Sequence, residues 1–185
     1  YDMKTSSLKI GGVPFVEVAD ALIHPQEGKI NILSGGKMEQ LNDAKIIANT
    51  KSKYHVINKA SVTIEGKRRY TASGFYEYNI GDREQEIKFS NIIGEPTGKG
   101  KKSERPLLTQ ADGEVSRTAN FYIDHKTKFS GKISLKSDRE NLHFDGFAQF
   151  DSPYLSKDDW FKINSIADKN NLILSYHEPM SYDGT

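Results

Sequence analysis

One short pattern occurs three times in the first third of the chain: an apolar residue, two polar or small ones, alanine, any residue, then an aliphatic. It reads Val18-Ala19-Asp20-Ala21-Leu22-Ile23, then Leu41-Asn42-Asp43-Ala44-Lys45-Ile46, then Ile57-Asn58-Lys59-Ala60-Ser61-Val62. A second pattern alternates through glycine, in Tyr70-Thr71-Ala72-Ser73-Gly74-Phe75-Tyr76 and in Leu142-His143-Phe144-Asp145-Gly146-Phe147-Ala148. Side chains along a strand point alternately to opposite faces, so both patterns are strand patterns. Repetition on this scale predicts stacked units in which each covers the apolar face of the next. The alanines mark small inward positions where neighbouring rungs pack tightly, and the glycines mark bends, bulges or close backbone approach.

Strand patterning extends over 8–10, 15–23, 29–33, 44–48, 55–57, 61–65, 69–78, 86–93, 119–124, 132–136 and 142–150. Turn chemistry separates these runs, as in Pro25-Gln26-Glu27-Gly28, Ser34-Gly35-Gly36, Ile80-Gly81-Asp82 and Lys136-Ser137-Asp138. No amphipathic helix intervenes, so the expected class is all-β: stacked strand repeats of jellyroll or solenoid type. The segment 94–113 breaks the pattern with Gly94, Gly98, Gly100, Pro96, Pro106 and a run of lysines. It reads as a flexible basic loop or linker between an N-terminal strand-repeat region, 1–93, and a C-terminal β region, 114–185, of the same architecture.

The C-terminal stretch carries two readings. Ser156-Lys157-Asp158-Asp159 followed by Trp160, Ile163 and Ala167 fits one short capped helix. A strand places Phe161, Ile163 and Ala167 on one face, with 168–171 turning into a further strand at 172–176. The Asn170-Asn171 pair favours the strand.

The 185 residues carry 26 Lys and Arg against 25 Asp and Glu, a balance that gives no global drive toward nucleic acid. Cysteine is absent, which excludes disulfides and thiolate metal sites. No apolar run reaches the length of a membrane span, and the chain is not expected to cross a membrane. A start at Tyr1 rather than methionine reads as a piece of a larger or processed protein.

The repeats around Ala21, Ala44 and Ala60, with Tyr70-Thr71-Ala72-Ser73-Gly74 and Phe144-Asp145-Gly146, resemble the β-jellyroll repeats of the organic-solvent-tolerance, lipopolysaccharide-transport family of Gram-negative envelopes. They are also similar to stretches of large envelope proteins of Bacteroidetes-type bacteria. The resemblance implies an open, twisted stack of strands whose ends pair with other copies and whose interior can hold acyl chains. It implies a periplasmic or cell-envelope location. The residues such an apolar groove would use include Val16, Val18, Ile30, Ile32, Ile46, Val62, Ile64, Phe89, Ile133 and Leu135.

Individual residues offer few chemical constellations. His143 and Asp145 share one strand face, a two-ligand start for a metal, and no third ligand follows by spacing. Tyr76 and Tyr78, with Phe75 opposite, project aromatic rings from a strand as a possible ligand-binding surface for sugars. Lys99, Lys101, Lys102 and Arg105 offer a polyanion contact, as does Lys67-Arg68-Arg69. Trp160 reads as a core anchor. Gly94-Glu95-Pro96-Thr97-Gly98-Lys99 is one residue short of a phosphate loop and lacks its βαβ setting. No catalytic constellation and no cofactor are expected. The sequence therefore predicts a non-enzymatic module of a larger exported protein, with an assembly or binding role. Its partners are the rest of the polypeptide or other copies through strand edges. Glycan and lipid are the ligand classes left open, the first as part of a carbohydrate-active protein and the second in a carrying groove.

Overall fold

The computed structural model describes residues 7–101, 103–152 and 159–167. These form thirteen strands: β1 (Leu8–Ile10), β2 (Val16–Val18), β3 (Ala21–His24), β4 (Ile30–Ile32), β5 (Leu41–Ala48), β6 (His55–Gly66), β7 (Arg69–Glu77), β8 (Glu86–Pro96), β9 (Leu107–Val115), β10 (Phe121–Tyr122), β11 (Thr127–Lys136), β12 (Leu142–Phe150) and β13 (Phe161–Ala167). Ten of them run in the order β13-β12-β11-β9-β8-β7-β6-β5-β3-β2, every neighbouring pair antiparallel. β10 flanks β11, and β1 pairs with β4 in a separate ribbon. The protein is all-β, and its stacked repeats take the form of a meander that curls into a half-barrel.

The repeated alanine pattern has a specific cause. In an unbroken strand, residues three apart face opposite ways. Leu41 and Ala44 are nonetheless both buried, as are Ile57 and Ala60. An extra residue is accommodated between them, with Asp43 at φ 52° and Lys59 at φ 50°, and the register shifts at each place. These are bulges, which bend a strand and increase its twist. Val18-Ala19-Asp20-Ala21 uses the same letters differently: Val18 and Ala21 are register partners across a tight turn, with Ala19 at φ 54°.

The bulges continue as an oblique seam. Beyond β5 and β6 it passes through Gly74 on β7, a register shift at Phe89/Asn91 on β8, Gly113 on β9, and Gly131 facing Gly146 between β11 and β12. Side chains do not fit along it. A Cβ on Gly74 would stand 2.7 Å from Ile57 Cγ2, one on Gly113 2.7 Å from the Lys88 carbonyl, and one on Gly146 2.3 Å from the Ser130 carbonyl. Bulges and glycines are the devices that curl a sheet, and here they form one line across nearly every strand.

Curling encloses a core on the concave face. Tyr70, Tyr78, Phe89, Phe129 and Phe144 are fully buried with the isoleucines between them. Phe129 meets Phe144 edge-on at 5.1 Å and 84°, and Tyr78 meets Phe144 at 5.8 Å and 66°. Of the residues expected to line an open groove, Val18, Ile46, Val62, Phe89, Ile133 and Leu135 are at most 2 % exposed. They fill the interior instead of lining a channel, because the curled sheet brings aromatic side chains over them.

Two segments depart from expectation. The stretch 94–113 is a loop only at 97–106: β8 runs on through Pro96, and 107–113 pair with it as β9. Its Gly, Pro and Lys content masks the alternation of Thr109 and Ala111, which are buried. The sheet therefore runs unbroken from the N-terminal to the C-terminal region. At the C-terminus 161–167 are strand, paired to β12, so the helical reading fails there. The capping residues Ser156 to Asp158 and the expected strand 172–176 lie outside the described residues. Among the described residues no helix is long and apolar enough to cross a membrane.

Burial also sets an alkaline limit. Tyr70 and Tyr76 are both held above the ordinary tyrosine range, chiefly by burial; the Asp20 charge adds to this at Tyr70 and Glu140 at Tyr76. Above pH ~10 the unfolded chain loses phenolic protons that the folded protein keeps, so stability falls as pH rises. The urea midpoint is expected to decline from that pH upward, and Tyr70→Phe to flatten the decline. An identical slope in Tyr70→Phe would show that Tyr70 is not the cause.

Candidate functional site

The sites read from the sequence are dispersed by the fold. Tyr76 and Tyr78 do share a strand face, but it is the concave one. Both are buried, Tyr78 donating its hydroxyl hydrogen to the Ile123 carbonyl at 2.9 Å. They offer no platform to a sugar. Phe75 faces outward and lies under Lys59, whose Nζ is 5.6 Å from the ring centre. His143 and Asp145 project from the outer face of β12. His143 Nε2 lies 2.8 Å from Asn164 Oδ1, and Asp145 sits opposite Lys132. Among the described residues no three His, Asp or Glu side chains converge to hold a metal.

The two basic stretches come together. Arg68, in the β6–β7 turn, donates to the carbonyls of Ser103 and Arg105 at 3.0 Å each, and Arg105 Nε donates to the Gly100 carbonyl at 2.8 Å. Both guanidinium groups are thus engaged in holding the 97–106 loop. Arg69 is engaged as well, with Glu65 at 3.1 Å and Glu95 at 3.6 Å. Lys99 and Lys101 remain exposed, and Lys102 lies outside the described residues.

Sequence reasoning missed a buried polar joint. Asp20, in the tight turn after β2, accepts from the Thr109 hydroxyl at 2.6 Å, from the Thr109 amide at 3.1 Å and from the Ser137 hydroxyl. Thr109 Oγ1 is 2.8 Å from the Tyr70 hydroxyl, which donates to it because Thr109 gives its own hydrogen to Asp20. The turn's backbone joins in, Ala19 N–H to Lys67 at 3.0 Å and Thr50 N–H to the Asp20 carbonyl at 2.8 Å. Nearby, buried His55 donates from Nε2 to the Arg139 carbonyl at 2.6 Å. A Ser–Asp pair alone is not a nucleophile system, because nothing here takes the serine proton except the carboxylate that already orders it. The group works as a clasp, tying the first strands to β9 and to the β11–β12 turn. The only signal in sequence is the acidic residue within the first repeat.

The two ends of the sheet are different in character from its middle. Among the described residues β2 pairs only with β3. Near β13, Phe147, Phe150 and Ile166 are each more than 40 % exposed. Arg117 lies 5.5 Å from the Phe147 ring and 5.1 Å from that of Trp160, which is partly exposed and not a core anchor. Beside β2, Phe15 is 44 % exposed. Aromatic side chains with an arginine are the composition of interface centres.

Comparison with protein-family models, with curated proteins and with solved structures returned no match for this chain.

Proposed function

We propose that this chain is a non-enzymatic structural module that joins further β-structure through the edges of its sheet, either another copy or the remainder of a longer polypeptide. The observation that carries this reading is a half-barrel with a filled interior whose end strand β2 pairs on one side among the described residues. Unpaired strand edges are templates for β-augmentation, and proteins that do not use them usually blunt them. The exposed Phe15 beside β2 supplies apolar area to such a junction. An exported or envelope setting is supported by the resemblance of the repeats.

The absence of cysteine makes a direct test simple. Glu17→Cys on β2, treated with a short bis-maleimide, is expected to give a crosslinked homodimer. A chain carrying both Asp145→Cys and Asn164→Cys, which are register partners, serves as the control and should close internally. Closure of the control without any intermolecular product would refute edge pairing between copies.

A further inference from the structure

We propose that the partner of the β2 edge is a second copy of this chain, paired antiparallel about a two-fold axis at Val16, so that Phe15 of each copy stands opposite Glu17 of the other. The inference rests on edge pairing and adds its occupant and its register. The open run of this edge is short. On one side Val13 gives its amide to the Gly28 carbonyl at 2.9 Å, and Pro14 has no N–H to give. On the other, Ala19 gives its amide to the Lys67 carbonyl at 3.0 Å. Residues 15–18 lie between these limits.

Backbone alternation decides which groups of the run are open. Val18 and Ala21 are register partners across a two-residue turn, and Val16 is the partner of Ile23, so both valines turn their backbone groups toward β3. Phe15 and Glu17 then turn theirs toward the free edge. An axis at Glu17 would set two carboxylates directly opposite each other, which is destabilising. Axes at Phe15 or Val18 would match Glu17 with Val13 or Ala19, whose amides are taken. The axis at Val16 matches Phe15 with Glu17 on both sides and uses every open group of both copies. A longer strand from another sheet would leave its own amides unpaired beyond Pro14, whereas a second copy carries the same limits and closes the pair.

The side chains agree with this register on both faces. Val16 is partly buried and packs against the core, so Val16 opposite Val16 continues the inner apolar face from one copy to the next. On the outer face Glu17 begins a cross-strand row that runs on through Leu22, Ile47 and Val56, all partly exposed. The partner's Phe15 stands opposite Glu17 and extends that apolar row. Phe15 is 44 % exposed in the single chain, and its ring lies 5.8 Å from that of His24, the register partner of Lys45. The partner's Glu17 therefore enters the row that holds His24 and Lys45, carboxylate toward the basic groups and away from its own copy.

Oxidation of single-cysteine chains reads the register. With the axis at Val16, the two residues 16 are directly opposite and about 4.5 Å apart at Cα, within reach of a disulfide. The two residues 17 are diagonal, about 7–8 Å apart, and outside that reach. Val16→Cys is therefore expected to give a disulfide dimer under mild oxidation. Glu17→Cys is expected to be linked by a short bis-maleimide and not by oxidation. Phe15→Ser, at an exposed position, should weaken the dimer at least about tenfold in sedimentation equilibrium. The register fails if Glu17→Cys oxidises as readily as Val16→Cys, if Val16→Cys stays monomeric while Glu17→Cys is linked, or if Phe15→Ser associates unchanged. A Glu17→Cys chain that the bis-maleimide does not link would instead remove edge pairing itself.

Discussion

Gly146→Val is expected to cost about 3–5 kcal/mol, enough to unfold a typical domain or bring it close to unfolding. The new Cβ would sit 2.3 Å from the Ser130 carbonyl and 2.7 Å from Gly131 Cα, both backbone atoms that cannot move without parting β11 from β12. Gly131→Val should be as severe. Its φ is 146°, a region closed to β-branched residues, and a Cβ there would meet the Asp145 carbonyl at 2.6 Å. Gly66→Ala is the matched control: the position is on a strand, has nothing within 4 Å, and should change stability by no more than about 0.5 kcal/mol. Urea unfolding followed by far-ultraviolet circular dichroism separates the cases. Tolerance at Gly131 and Gly146 would mean that β11 and β12 do not approach each other as described.

Asp20→Asn should destabilise by about 2–4 kcal/mol although it changes only one oxygen to an amide. The carboxylate accepts three hydrogen bonds, from two hydroxyls and one amide. An asparagine presents a donor to groups that are themselves donors. It also breaks the relay through Thr109 to Tyr70, both of them buried. Because the clasp joins strands far apart in the sheet order, its loss should loosen the N-terminal strands first. Hydrogen exchange is expected to quicken in β2, β3 and β5 before β11 and β12. A uniform change across the sheet, or none, would show that Asp20 does not hold the two parts together.

Class and strand positions are legible in this sequence because period-two alternation is a local property. The inward alanines follow from it too, since Ala21, Ala44 and Ala60 are all fully buried. The bulges at Asp43 and Lys59 are not local in the same sense. Spacing shows an apolar residue and an alanine three apart, but only the neighbouring strand reveals that both point inward. The clasp is less legible still, because Asp20, Thr109 and Ser137 are separated by most of the chain and share no motif. Alternation puts Tyr76 and Tyr78 on one face, yet a strand does not declare which of its faces the sheet will enclose. Arg68 and Arg105 read in sequence only as charge, whereas their use as loop braces depends on where two turns meet.

The claim that the β2 edge of the sheet is a working surface is tested most directly by hydrogen exchange measured over a range of protein concentration. The account predicts that amides of β2 gain protection as concentration rises, while those of β6, β7 and β8 in the middle of the sheet remain unchanged. Protection at β2 that is independent of concentration, in protein that stays monomeric throughout, would contradict it.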